Sequence, residues 1–288
     1  MKKLLCLVPL TLLVACKSEP SLQEICTDYP ALCARLNTDG WCRNERSELI
    51  RQRYDVSQLT ADPGYQGYRL LLDTEAYRDC MAKASGVVHK NLKERQSARG
   101  EAYIESLKDL KALQEQYKGS QDPHLLYYRF TRFEDEHALK LFLLLEGTGA
   151  FNTLELKTML AGYYAKSDRE KTFRLLIEGL ALPRESSTIN PEIFQTLATL
   201  SMQSFRYQDA YLWTRIAQRH GVAIDPRNLE QYLKNDEKRM TELDALAEGV
   251  DEAISENRFD PKMAELDPQP GQDKASVSSA AQSSAPPN

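Results

Sequence analysis

"PEIFQTLATLSMQSFRYQDAYLWTRIAQRHG", residues 191–221, is the stretch whose reading decides the fold. Ala198 falls in a first helix and Ala210 in a second, where small side chains let two helices of a hairpin approach closely. Phe194, Phe205 and Trp213 supply bulk on neighbouring turns. Working outward, the region 122–224 aligns with itself in three windows. Leu126, Leu160 and Ala198 correspond in the first helix, and Ala138, Thr172 and Ala210 in the second. Phe142, Leu176 and Thr214 follow four residues later, then Leu145, Gly179 and Ala217. The windows are offset by 34 and then 38 residues, and the longer interval carries Leu182-Pro183-Arg184-Glu185-Ser186-Ser187, with Asn190-Pro191 opening the next helix. Each hairpin leaves apolar surface that only its neighbour can cover.

This rhythm resembles the tetratricopeptide repeat: Leu197-Ala198 is followed by Ala210 twelve residues on and Ala217 seven later, while Thr172 and Gly179 stand where that family has alanine. The expected fold is all-α, a tetratricopeptide-like α-solenoid of helical hairpins with a disulfide-stapled N-terminal helical region. An irregular bundle of the same helices is the alternative. Hardly any segment alternates with period two, so little sheet is expected.

At the other end of the chain, Lys2 and Lys3 precede an apolar run, Leu4 to Ala15, too short to span a hydrocarbon core of roughly 30 Å but of the size of a secretory signal. Leu13-Val14-Ala15-Cys16 resembles the bacterial lipobox, which implies cleavage before a lipidated Cys16. Several acyl chains anchor a protein stably, where one alone does so marginally. In that class Lys17 after the cysteine is compatible with sorting to the outer membrane, on its periplasmic face. Loss of residues 1–15 removes two lysines and takes the formal charge from −5 to −7. A balance so mildly acidic argues against general nucleic-acid binding.

Cys26, Cys33, Cys42 and Cys80 form an even set in an exported chain, which permits two disulfides. Leu22, Ile25, Cys26, Tyr29, Leu32, Cys33 and Leu36 recur at helical spacing, and on one continuous helix Cys26 and Cys33 stand about 10.5 Å apart, beyond bridging distance. They are therefore expected to pair outward, one with Cys42 and one with Cys80. Thr38-Asp39-Gly40 reads as a turn and Cys42 as the start of a returning helix through Tyr54. Further helices are expected over Tyr65–Met81, over Val87–Tyr117 as one helix or two parted near Ser97–Gly100, and over Asn228–Ala247. The organisation expected is a signal peptide (1–15), a lipidated tether (16–20), an N-terminal helical region (21–118), a repeat region with its C-terminal cap (119–266) and a disordered tail (267–288) poor in bulky apolar residues.

The lipobox, the cysteine set, Tyr127-Tyr128-Arg129-Phe130-Thr131-Arg132-Phe133-Glu134 and the stretch from Gly162-Tyr163-Tyr164 to Trp213 together resemble a gammaproteobacterial lipoprotein family known as domain of unknown function 2989. The resemblance implies an envelope context and no particular reaction.

Catalytic motifs are not evident. His89, His124, His137 and His220 are far apart, Glu134-Asp135-Glu136-His137 points in several directions on a helix, and Glu146-Gly147-Thr148-Gly149 lacks the Lys-Ser/Thr of a phosphate loop. No metal or cofactor is expected. The function expected is a membrane-anchored periplasmic scaffold or adaptor binding another envelope protein through its helical-repeat surface; the alternative is a cell-wall hydrolase or a regulator of one. The residues expected to hold the repeats together are Leu126, Ala138, Phe142, Leu160, Thr172, Leu176, Ala198, Ala210, Trp213 and Ala217.

Overall fold

The computed structural model describes residues 19–60, 63–88, 92–185 and 188–265. Cys16, the leader before it and the tail from 267 lie outside them. The described residues form helices and no strand, in two compact units, residues 1–139 and 140–288. No helix among them is long and apolar enough to cross a membrane.

In the first unit, helix α1 (Leu22–Asp28) begins at a capping box: Ser21 Oγ accepts from Glu24 N, and Glu24 Oε2 accepts from Ser21 N at 2.7 Å. The helix stops at Tyr29, because a residue preceding proline is pushed out of helical geometry and Pro30 fits only a new first turn. Helix α2 is the short Pro30–Cys33. This break overturns the expected cysteine pairing. It folds Cys33 back to a Cα distance of 5.6 Å from Cys26, and the bridges are Cys26–Cys33 and Cys42–Cys80.

Helices α3 (Arg43–Ser57), α4 (Gly64–Ser85) and α5 (Lys93–Gln116) pack in sequence, α4 against both neighbours. Helix α5 is continuous through Ser97–Gly100 and starts later than its periodicity suggested. Leu49, Leu70, Tyr77, Met81, Ala84 and Ala102 make the core, with Cys42 and Cys80 stapled beside them. The loop before α3 is fixed by polar groups. Asn37 N donates to Tyr77 Oη at 2.7 Å, Arg46 Nη1 donates to Asn37 O at 2.6 Å, and Arg99, only 2% exposed, donates Nε to Asp39 Oδ2 at 2.7 Å. Burial pushes the Asp39 carboxyl up, but Asn37, the Trp41 N–H and Arg99 together hold it below the usual carboxylate range. Helix α6 (Pro123–Phe133), capped by Asp122, packs on α4.

Helix α7 (Glu136–Leu144) runs across the division between the units. The second unit then contains α8 (Leu154–Tyr164), α9 (Arg169–Leu180), α10 (Glu192–Gln203) and α11 (Tyr207–Arg219). Thr153 caps α8, accepting from Leu156 N, and Asp168 caps α9, accepting from Lys171 N. α8 pairs with α9 and α10 with α11, as the second and third sequence windows require, and α9 meets α10 between the hairpins.

The segment expected as one helix over Asn228–Ala247 is two, α12 (Arg227–Tyr232) and α13 (Glu237–Ser255). Lys234 and Asn235 turn through left-handed backbone, and Asp236 caps the restart. Helix α13 packs on α11, with Leu243 joining Tyr211 and Leu233 in a local cluster. Asn257, just past α13, exchanges hydrogen bonds with the backbone of Arg184 at 3.1 and 2.9 Å, which ties the long α9–α10 connection down.

Candidate functional site

The ten residues named for repeat packing are all buried, from Trp213, Leu160, Ala138 and Ala217 at 0% exposure to Ala198 at 7%. Two small positions show why. At Gly179 an added Cβ would lie 3.0 Å from both Leu154 Cδ1 and Lys157 Cβ, so α8 and α9 meet almost backbone to backbone there. Thr172 fits a tight crossing by donating its hydroxyl to Asp168 O at 2.8 Å, which leaves no unpaired donor in the contact. Phe194 and Trp213 lie nearly parallel with centroids 6.4 Å apart, filling the α10–α11 hairpin. Phe205 departs from its expected packing role. It takes a left-handed φ of 58° in the turn between these helices and is 58% exposed.

Burying Ile193, Phe194, Leu197, Ala198, Leu200 and Ser201 turns the opposite face of α10 outward. Gln195, Thr199 and Gln203 stand exposed on it, four residues apart and therefore in one row. Together with Glu192, Thr196, Leu200 and Ala165 they line a trough of about 420 Å³ running the length of the helix. The helix starts where Asn190 Oδ1 accepts from Glu192 N at 3.0 Å.

Tyr164, next to Ala165 at the end of α8, belongs to a charged cluster. Tyr164 Oη donates to Glu146 Oε2 at 2.8 Å, Lys171 Nζ lies 2.6 Å from Glu146 Oε1, and the same Nζ sits 3.7 Å over the Tyr164 ring. Burial pushes the Glu146 carboxyl up, yet Lys171 and Tyr164 hold it below its ordinary value. Glu146-Gly147-Thr148-Gly149 is thus an inter-helix turn, with positive φ at both glycines.

The polar atoms of the trough have a defined sense. Thr196 Oγ1 donates to Glu192 O at 2.7 Å and Thr199 Oγ1 to Gln195 O at 2.9 Å, so each hydroxyl proton is used within the helix and only lone pairs face outward. Among the described residues, the Gln195 and Gln203 carboxamides form no hydrogen bond and Glu192 forms no ion pair with a lysine or arginine. Asn190 Nδ2 reaches Glu192 at 3.4 Å.

Two of the histidines, His124 and His220, brace helix ends. His124 lies 3.1 Å from Asp122, the cap of α6. Burial pushes that carboxyl up, but His124 and the N–H groups of His124 and Leu125 bring it below its ordinary value. His220 Nε2 is 2.8 Å from Asp251 and joins the end of α11 to α13, its ring 4.7 Å from Phe194. His137 is exposed, and Asp135 in the same acidic run caps α7 through Ala138 N and pairs with Arg129. His89 is outside the described residues.

Hydrophobic spacing marks the buried positions of α10 and leaves the trough unmarked. The available signal was the Gln195, Thr199, Gln203 spacing on the face opposite Phe194 and Leu197. No curated protein and no solved structure matches the chain. Residues 13–215, more than half of the sequence, match the family described as protein of unknown function DUF2989, and the chain belongs to that family.

Proposed function

We infer that this protein is a membrane-anchored periplasmic scaffold or adaptor lipoprotein that docks another envelope protein on the exposed face of its helical repeats. The observation carrying this reading is the α10 trough, whose unpaired carboxamides sit on a helix held rigid by the buried Phe194, Leu197 and Trp213. A site on a rigid helix keeps its geometry better than one on a loop, which suits recognition of a partner. The anchor in this reading is Cys16, in its lipobox setting.

The test is affinity capture from solubilised envelopes, comparing the parent chain with a Gln195→Arg/Thr199→Arg variant. A specific protein partner recovered by the parent and lost by the variant supports the reading. Equal recovery by both places the docking surface elsewhere. Turnover of an envelope substrate with no partner recovered favours an enzyme. Mass spectrometry of a Cys16→Ser chain tests the anchor, the expected result being an exported, uncleaved protein without lipid.

A further inference from the structure

We propose that the α10 trough takes an extended, basic polypeptide segment, gripped through its main chain by Gln195, Thr199 and Gln203 and oriented by Glu192. This rests on the docking reading above and adds the chemistry of the partner.

The first argument is spacing. Side chains four residues apart on a helix recur every ~6 Å along its axis. An extended chain presents peptide groups to one side every second residue, a repeat of about 6.6 Å. Successive main-chain groups of a strand therefore meet successive members of the Gln195, Thr199, Gln203 row. A helical partner has already spent its N–H and C=O groups internally and offers this row only side chains.

The second argument is hydrogen-bonding sense. A carboxamide supplies both donor and acceptor, the complement of a peptide group, and the central Thr199 has its proton committed to Gln195 O, so it can only accept. The row is thus suited to one side of a strand, where N–H and C=O groups alternate. Recognition of this kind reads backbone and tolerates varied sequence. The third argument is charge. Glu192 is the one charged residue lining the trough and forms no salt bridge among the described residues, so a lysine or arginine at that end is favoured over an acidic residue.

The experiment uses the full purified chain and fluorescein-labelled peptides read by anisotropy. One alternates lysine with threonine, the second replaces lysine by glutamate, and the third is the lysine peptide N-methylated at every backbone amide, which removes the N–H donors of both edges. The lysine peptide should bind about tenfold more tightly than either comparison, and Gln195→Ala/Gln203→Ala should weaken it by a similar factor with an unchanged melting curve. Glu192→Gln should abolish the preference for lysine over glutamate. The proposal is overturned if the lysine peptide fails to bind, if N-methylation leaves its affinity unchanged, or if the double variant binds it as the parent does. Failure here together with partner capture lost on Gln195→Arg/Thr199→Arg leaves the adaptor reading standing with a different epitope. Peptide binding without any captured partner removes the adaptor reading and keeps the trough chemistry.

Discussion

Gly179 offers a sharp physical test of the hairpin geometry. In an ordinary helix interior, replacing glycine by alanine gains about 1 kcal/mol of helix propensity. Here the new methyl would sit 3.0 Å from Leu154 Cδ1 and 3.0 Å from Lys157 Cβ, with Leu154 Cα at 3.6 Å. Comfortable carbon contacts lie at about 3.5–4.0 Å, so at least half an ångström must be relieved at two atoms. Leu154 Cδ1 can swing away, but Lys157 Cβ is fixed to the α8 backbone, and relief there means moving α8 from α9. Overpacking of this kind costs about 1–3 kcal/mol, which offsets the propensity gain and makes Gly179→Ala neutral to destabilising by about 2 kcal/mol. Gly179→Leu adds more atoms to the same gap and should lose about 3 kcal/mol or more. Gly249, inside α13 with nothing within 4 Å of an added Cβ, is the internal control, and Gly249→Ala should gain up to about 1 kcal/mol. Urea unfolding of the three variants measures the differences. If Gly179→Ala stabilises as much as Gly249→Ala, and Gly179→Leu is tolerated, α8 and α9 are not in close contact and the argument fails.

Other expectations follow from the same structure. Ala210→Trp, at a position 1% exposed, should cost about 1–3 kcal/mol in the same unfolding assay, and an unchanged midpoint would contradict the packing of the α10–α11 hairpin. Removing the Cys42–Cys80 bridge, which closes a separation of 38 residues, should cost about 4 kcal/mol, whereas the seven-residue Cys26–Cys33 bridge should cost about 2 kcal/mol. Non-reducing peptide mapping checks the pairing itself. Burial raises the Asp209 carboxyl to about 6 despite Arg206 nearby. A carboxylate with a raised folded pKa contributes stability that is full below its unfolded value, about 3.9, and lost as pH rises through about 6. Asp209→Asn should therefore gain on the parent between these pH values by about 1–3 kcal/mol, and a gap that widens on acidification would contradict the assignment.

Much of the second unit was legible because small residues recur at fixed helical offsets, and those positions could serve only a crossing. Ala198, Ala210 and Ala217 carry that information whatever surrounds them. The N-terminal region misled because its apolar stripe runs unbroken from Leu22 to Leu36 while the backbone does not. Periodicity reports which face is buried, and Pro30 reports where the helix stops; here the second signal dominates and changes the disulfides. The size of Phe205 suggests a packing role, yet the turn after α10 puts it in left-handed backbone with its ring outside. The α12–α13 break depends on two successive left-handed residues, Lys234 and Asn235, and hydrophobic spacing is blind to such turns. The trough was hidden because its chemistry lies in uncharged polar residues, whose ordinary reading is a solvated helix face. The four-residue spacing puts Gln195, Thr199 and Gln203 on one side, and the burial of Phe194 and Leu197 shows that this side faces outward.

The most direct test of the account is a photo-crosslinking amino acid placed at Thr199 in living cells, beside a control at the exposed Arg174 on α9. Docking on α10 predicts one discrete protein adduct from position 199, absent from position 174 and diminished when Gln195 and Gln203 are changed to alanine. No adduct at 199, or the same adducts from both positions, would contradict it.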